Sequence, residues 1–179
     1  MVNSIRMFSG ILFSPISPNK NDIKIEDIAH ALSLLTRANG HFPEFYSVAQ
    51  HSIACCKEAI ARNYGKKVAI ACLLHDAGEA YMSDITRPLK KHLEFYIKTE
   101  AHLLELIYSI FIEEPLTDKE INEIKLIDDL MLYHEFLHFM KVEVVPFSED
   151  LITNPDFKFV QFDIVETEFK DIFQHLMII

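Results

Sequence analysis

Two residue types that bind metals stand side by side at positions 75 and 76, at the end of an apolar run. The run KKVAIACLLHDAGEAYM begins at Lys66 and is apolar on nearly every face up to His75, which indicates a buried helix. A histidine and a carboxylate in that setting need a partner, because an unpaired polar or charged side chain is costly to bury. His75 and Asp76 are therefore a candidate metal-binding pair.

Further ligands must come from other helices, because two adjacent side chains on one helix point about 100° apart. His51 in SVAQHS and one aspartate of IDDLM, Asp128 or Asp129, are the obvious donors. Two imidazoles and two carboxylates suit one divalent ion of Mn, Fe, Co, Ni or Zn, and Mg stays an alternative. Water on such an ion loses a proton readily, and the resulting nucleophile suits the cleavage of phosphate esters.

The order and spacing of these segments resemble those of the HD-domain metal-dependent phosphohydrolases. The segments are SVAQHS, LLHDAGEAYMSDITRPLK and KLIDDLMLYHE, and the stretch IEDIAHALSLLTRANGHFPEFY before them fits as well. The resemblance is closest to the bacterial and phage branch near the YfbR-type 5′-deoxynucleotidases and covers residues 8–140. It implies an all-α HD-domain helical bundle in which one divalent metal ion cleaves a phosphate ester.

The resemblance also implies which residues hold the metal. His51 is the first ligand, His75 and Asp76 form the signature pair, and the last ligand is an aspartate that branch members follow with a glutamate seven residues later. That spacing selects Asp128, because Glu135 stands seven residues after it, and leaves Asp129 as the weaker alternative.

Two carboxylates are candidate catalytic groups. Helical spacing predicts that Glu79 lies on the face of His75 and Asp76, where a carboxylate can orient water or move a proton. Relatives carry a catalytic glutamate at the matching place. Asp84 matches the aspartate of a Gly-Asp dipeptide in the family, although Ser83 replaces the glycine here. Asp84 is expected to protonate the leaving group or to bind sugar.

The expected substrate is a small phosphorylated molecule, specifically a nucleoside 5′-monophosphate that is cleaved as a phosphate monoester. Cations near the site can offset the phosphate charge. The YfbR type uses an Arg-Trp pair before the first ligand helix, but this chain has no Trp, so the shape of the substrate is expected to differ. The candidate substrate-binding residues are Arg37, His41, Arg87 and Lys90.

Helical periodicity and few breakers predict a single all-α domain over residues 1–179. A first helix is expected from Ile25, a second from the N-cap Ser47 to Gly65, and a third from Lys66 to Met82. The next is expected from Leu89 to Ile112, then one after the capping box of Thr117 and Glu120, and a last one from Phe162 to Leu176. Residues 1–22 and 142–160 are expected to be irregular or partly extended.

The formal net charge of −10 argues against a nucleic-acid partner, which needs a positive face. The sequence contains neither a membrane span nor a signal peptide, so the expected location is the cytoplasm. Cys55, Cys56 and Cys72 form no CxxC motif and are interpreted as small core residues. A homodimer stays open, because relatives are often dimers.

Three other functions compete with this interpretation. The segment from His134 to His138 fits the zincin motif HExxH, with Glu149 or Glu166 as conceivable third ligands, but the longer metzincin pattern fails at Lys141. A di-metal HD phosphodiesterase or oxygenase would use extra histidines, for which His92 and His102 are available. An HD module that binds nucleotides without catalysis is the third alternative.

Overall fold

The computed structural model describes residues 3–143 and 149–178, which are mostly helical. Two short antiparallel strands come first, β1 (Ile5–Arg6) and β2 (Leu12–Phe13), followed by a 3-10 turn at Lys20–Asp22. The helices are α1 (Ile25–Leu34), α2 (Val48–Ala61), α3 (Lys66–Leu74), α4 (Glu79–Met82), α5 (Arg87–Lys90), α6 (Glu94–Phe111), α7 (Asp118–Met140) and α8 (Phe162–Ile178).

Side-chain caps begin the two helices that carry the central candidate residues. The Ser47 hydroxyl accepts from the backbone N–H of Gln50, and the Gln50 side chain accepts from the backbone N–H of Ser47. Thr117 and Glu120 form the same reciprocal pair at α7, as their spacing predicts. Such boxes satisfy N–H groups that have no partner inside the helix, and they thereby set where the helix begins.

α2 and α3 form the centre of the molecule. Every residue of α3 from Val68 to Leu74 is buried, and α2 packs against α1, α3, α7 and α8. α1 and α8 close one side, where Ile28 and Phe169 are fully buried. The predicted all-helical character is confirmed for the described residues. No helix among them is long and apolar enough to cross a bilayer.

The predicted helix boundaries are wrong at three places. α2 ends at Ala61, and Gly65, at φ +91°, instead begins α3. α3 ends at Leu74, and the chain turns over residues 75–78 before α4, so His75 and Glu79 do not share a continuous helix. The helix expected from Leu89 to Ile112 is divided. The backbone N–H groups of His92 and Leu93 donate to the carbonyl oxygens of Leu89 and Lys90, three residues earlier, and this turn separates α5 from α6.

The N-terminal residues form a hairpin that is anchored to the start of α1. Gly10 occupies the turn at φ +87°, a conformation that suits glycine. The backbone N–H and the hydroxyl of Ser9 both donate to the fully buried carboxylate of Asp27, at 2.7 and 2.8 Å. The expected irregular or extended segment is therefore ordered by one buried acidic side chain.

The start of the second described range, residues 149–160, is tied to α2 through Glu58. Its buried carboxylate accepts from the backbone N–H groups of Ile152 and Thr153, from the Thr153 hydroxyl and from Arg62. The sequence predicts irregular structure over 142–160. The described residues 149–160 contain no helix or strand, and Pro146 lies outside the described residues.

Replacing Glu58 by Gln is expected to destabilise the protein by about 1–3 kcal/mol at pH 7. Burial alone would raise the pKa of Glu58, but hydrogen bonds from Thr153, Ile152 and Arg62 hold it below its ordinary value of 4.5. The stability that this carboxylate contributes is present above that pH and is lost as the pH falls through the lower folded-state pKa. Urea denaturation from pH 7 to pH 3 measures it.

The variant Glu149→Gln is the matched control for this experiment. Glu149 contacts the same Arg62 from an exposed position, where an ion pair contributes little, so we expect a change below about 0.5 kcal/mol. An acid loss of stability in Glu58→Gln as steep as in the wild type would show that Glu58 is not the group responsible.

Candidate metal centre

The imidazoles of His51 and His75 face each other inside the protein, with 3.2 Å between their Nε2 atoms. His51 lies on α2, and His75 is the C-cap residue directly after α3. The Nδ1 atom of His75 lies 2.7 Å from the carbonyl oxygen of Cys72, and that of His51 lies 2.6 Å from a carboxylate oxygen of Glu135. When both rings are neutral and their Nδ1–H groups donate to these acceptors, both Nε2 lone pairs are directed at the same space, where they could share a cation.

Two carboxylates border the same space. Asp76 Oδ2 lies 3.3 Å from His75 Nε2 and 3.9 Å from His51 Nε2, while Asp128 Oδ1 lies 3.7 and 3.2 Å from the same atoms. Donors bound to one ion at about 2.0–2.2 Å lie about 3.0–3.5 Å apart. These four donors can therefore approach one ion with small side-chain movements.

A cysteine that was interpreted only as a core residue also faces this space. Cys55 is buried and free, as are Cys56 and Cys72, but its Sγ lies 3.5 Å from His51 Nε2. His51, Cys55 and His75 could together hold a metal ion. Burial, followed by the charge of Asp128, raises the pKa of the Cys55 thiol well above its ordinary range. The spacing of four residues from His51 on one helix is the signal that could have identified it.

The charges around His75 favour a positive occupant. Burial alone would lower the pKa of His75, but the carboxylates of Asp76 and Asp128 outweigh it and raise the pKa to about 9. Burial would likewise raise the pKa of Asp128, whereas hydrogen bonds from His51 and His75 hold it well below its ordinary range. The site therefore carries a proton on an imidazole when no metal is bound, and a metal ion must displace that proton.

Glu135 links His51 to Arg37, a role that the sequence analysis did not assign. Its Oε1 accepts from His51 and its Oε2 lies 3.3 Å from Arg37 Nη2, with all of Glu135 buried. Arg37 also reaches Asp76 Oδ2 at 3.4 Å. The pKa of Arg37 is raised, because the charges of Glu135 and Asp76 outweigh the effect of burial. The signal was available, since residues 128 and 135 are two helical turns apart and share a face.

The zincin-like motif does not form a second site of its own. Its glutamate, Glu135, is directed at His51 and Arg37, whereas His138 is exposed and contacts Phe139 and Phe157. His134 is half-buried, and its Nε2 atom has no hydrogen-bond partner among residues 3–143 and 149–178. Glu149 pairs with Arg62, and Glu166 with His30 and Lys170.

The structure brings Asp128, and not Asp129, to the two imidazoles. Asp129 Oδ1 instead accepts from Arg87 Nη1 at 2.6 Å, and its other oxygen pairs with Lys125. Arg87 Nη2 donates to Asp128 Oδ2 at 2.8 Å, so this arginine holds the carboxylate oxygen that faces away from the imidazoles. Arg87 was expected to contact phosphate, but here it pairs with two carboxylates.

The two candidate catalytic carboxylates differ in exposure. Glu79 is buried, and its Oε2 atom has no hydrogen-bond partner in the part of the chain that the structure describes. Burial, and then the nearby charges of Asp76 and Asp84, raise the pKa of Glu79 well above its ordinary range. Asp84 is half-buried, and its pKa is also raised, by burial and by Asp76 against the opposing effect of Arg37. These effects favour the protonated form of Glu79.

The remaining candidates are exposed or contact other residues. Lys90 pairs with Glu100 at 2.5 Å and lies above the ring of Tyr96. His41 follows the Arg37–Gly40 turn and is exposed. The histidines that a second metal would need, at positions 92 and 102, are exposed as well.

An apolar cavity of about 800 Å³ opens beside the candidate metal ligands, between α6 and α7. His75 and Asp128 line one end, and apolar side chains form most of its walls. Glu105, Glu113 and Glu114 also line it. A cavity of this size and character is suited to the organic part of a small molecule. Its walls include Leu104, Tyr108, Ile112, Leu116, Ile121 and Ile124.

Replacing Glu135 by Ala is expected to destabilise the protein by about 3–5 kcal/mol, because it leaves the buried guanidinium of Arg37 without one of its two carboxylate partners. It also frees the His51 ring, so metal affinity should fall about 10–100-fold. Chemical denaturation and calorimetric titration with Zn²⁺ measure the two effects. Glu123→Ala on the same helix is the control, because Glu123 pairs with the exposed Lys119. Equal losses in both variants would contradict the role of Glu135.

Sequence comparisons identify two curated relatives. The chain is 42% identical over 99 residues to the uncharacterized protein YfdR of Escherichia coli strain K12. The aligned residues make up 55% of this chain and 53% of that protein. It is also 36% identical over 112 residues to the uncharacterized protein RCAP_rcc00048 of Rhodobacter capsulatus. Here the aligned residues make up 59% of this chain and 57% of that protein. No family model matches the chain. The chain thus spans about half the length of the curated relatives that it matches.

Proposed function

We propose that the chain is a metal-dependent phosphohydrolase of the HD-domain type that cleaves phosphate monoesters, with nucleoside 5′-monophosphates as substrates. The observation that carries this proposal is the convergence of His51 Nε2 and His75 Nε2 with Asp76 and Asp128. The Nδ1 positions of both rings are held by acceptors, which leaves Nε2 for a metal.

The four converging donors would hold one divalent ion. When bound, such an ion activates a water molecule and withdraws electron density from the phosphate. The donor set fits this group, because two imidazoles and two carboxylates form a mixed nitrogen and oxygen shell. Arg37 lies against the same donors and keeps further N–H groups after its contacts with Asp76 and Glu135, so it can offset charge that develops on the phosphate.

Glu79 is the best candidate for the proton donor. The departing oxygen of an alkyl phosphate leaves as an alkoxide unless a proton reaches it, and a carboxyl group can donate only while it is protonated. Burial and the charges of Asp76 and Asp84 raise the pKa of Glu79 well above its ordinary range, which favours the protonated form that a proton donor needs. Asp84 is more exposed and is the alternative donor.

The cavity between α6 and α7 supports a substrate with an organic group of moderate size. Its apolar walls favour a ring or chain, and its three glutamates outnumber its one lysine, Lys125, which disfavours a second negative charge. Their carboxylates also accept hydrogen bonds from hydroxyl or amino groups, such as those of a nucleoside. These features favour a monoester of a neutral alcohol over a substrate with an acidic tail.

A phosphate-release screen tests the proposal. The purified chain is incubated with ribo- and deoxyribonucleoside 5′-monophosphates, p-nitrophenyl phosphate and the diester bis(p-nitrophenyl) phosphate, with Mn²⁺, Co²⁺, Zn²⁺ or Mg²⁺ added separately. We expect metal-dependent release from the monoesters, with the nucleotides preferred. Cleavage of the diester alone would favour a phosphodiesterase, and two metal ions per chain would favour the di-metal form. Tight nucleotide binding without any release would favour the non-catalytic module.

A further inference from the structure

A sulfur atom lies among the donors of the candidate metal centre. Cys55 stands one helical turn after His51 on α2 and is 1% exposed. Its Sγ lies 3.5 Å from His51 Nε2, and both atoms lie within 4.8 Å of a ligand atom of His75. Cys56, the next residue, is equally buried but is not part of this group.

The separations within this group match those of ligands on one ion. In a tetrahedral site with metal–sulfur bonds of about 2.3 Å and metal–nitrogen bonds of about 2.05 Å, sulfur and nitrogen lie about 3.6 Å apart. Two nitrogens in the same geometry lie about 3.3 Å apart. The observed values are 3.5 Å from Cys55 Sγ to His51 Nε2 and 3.2 Å between the two imidazoles.

We propose that Cys55 is a ligand of the metal centre and that its sulfur selects a thiophilic ion, namely Zn²⁺, Co²⁺ or Fe²⁺, over Mg²⁺ and Mn²⁺. The inference rests on the proposed metal centre. On binding, the S–H bond breaks, its electron pair forms the metal–sulfur bond, and the proton leaves to solvent. Thiolate favours softer divalent ions, whereas carboxylates alone also accept Mg²⁺ and Mn²⁺.

The surroundings accommodate the added negative charge. Arg37 contacts Asp76 on one side of the donors, and Arg87 contacts Asp128 on the other. Each guanidinium offsets one of the carboxylates that border the ion.

Cobalt spectroscopy of the whole chain tests the proposal. The metal-free protein is titrated with Co²⁺ and its near-ultraviolet and visible absorption is recorded. We expect a sulfur-to-cobalt charge-transfer band in the near ultraviolet together with the weaker visible bands of bound Co²⁺. The preference for Zn²⁺ over Mg²⁺, taken as the ratio of their dissociation constants, should fall at least about tenfold in Cys55→Ser.

Cys56→Ser is the matched control, because it replaces a neighbouring buried cysteine on the same helix. We expect it to keep both the band and the Zn²⁺ preference, while Cys55→Ser loses the band and still binds Co²⁺. Visible bands of bound Co²⁺ without a charge-transfer band in the wild type would overturn the role of Cys55 and leave the four-ligand centre standing. A wild type that binds no Co²⁺ would overturn both. Since the wild-type spectrum decides this, the test does not depend on the folding of either variant.

Discussion

Replacing Asp128 by Asn is expected to lower phosphate release at least about a thousandfold, whereas Asp129→Asn changes it less than about tenfold. Asp128 Oδ1 lies 3.2 Å from His51 Nε2, and an amide in its place removes a charge from the donor set. Asp129 faces Arg87 and Lys125 instead. The two variants alter neighbouring residues by the same chemical change, so they separate the two candidates for the last ligand.

Measuring the metal content of each variant together with its activity shows whether the activity is lost because the metal is lost. Asp128→Asn should retain less Zn²⁺ or Mn²⁺ after dialysis than Asp129→Asn. Asp76→Ala should lose both metal and activity in the same way, because Asp76 borders both imidazoles. Equal metal retention and equal activity in the two asparagine variants would remove Asp128 from the ligand set, and full turnover by a metal-free Asp76→Ala would refute the centre itself.

Replacing Glu79 by Gln is expected to lower kcat on nucleoside monophosphates about 10²–10⁴-fold. Glutamine keeps the size of the side chain and removes its acidic proton. The loss should be much smaller for p-nitrophenyl phosphate, because p-nitrophenolate leaves without needing a proton. The ratio of the two losses therefore tests for proton donation, whereas a general loss of structure would lower both rates equally.

The pH dependence provides a second test of Glu79. A proton donor is active below its pKa, so the rate of the wild type should fall as the pH rises through the pKa of Glu79, which burial and the charges of Asp76 and Asp84 raise. That alkaline fall should disappear in Glu79→Gln. If Asp84→Asn, and not Glu79→Gln, loses much more activity on nucleoside monophosphates than on p-nitrophenyl phosphate, then Asp84 is the proton donor and Glu79 is not.

Part of the candidate site could be predicted from the types of residue, their local spacing and their order in the chain. His51, His75 and Asp76 stand out because polar residues interrupt apolar helices, and the structure brings their side chains together. The N-cap Ser47 and the capping box of Thr117 predicted the starts of α2 and α7, because a side chain that bonds three residues ahead is a local feature.

Helical spacing places Cys55 on the face of His51 and Glu135 on the face of Asp128, but the partners of Arg87 and Glu135 come from distant parts of the chain, which local spacing alone does not identify. Arg87 was expected to meet phosphate, yet two carboxylates from a helix 41 and 42 residues away surround its guanidinium. Glu135 fits a protease motif by sequence, but its partner His51 lies 84 residues earlier. Where a side chain has several suitable partners, only the packing of the helices decides among them.

The candidate donors are spread over α2, the C-cap of α3 and α7, so a bound metal ion would couple metal occupancy to folding. His51 and Asp128 are 77 positions apart in the chain, so an unfolded chain does not gather them. An ion that binds only the folded state stabilises it by about 2.7 kcal/mol at a free concentration of one hundred times its dissociation constant. An ion that takes part in catalysis would therefore also hold three helices together, and its removal by a chelator would lower the melting temperature of the protein.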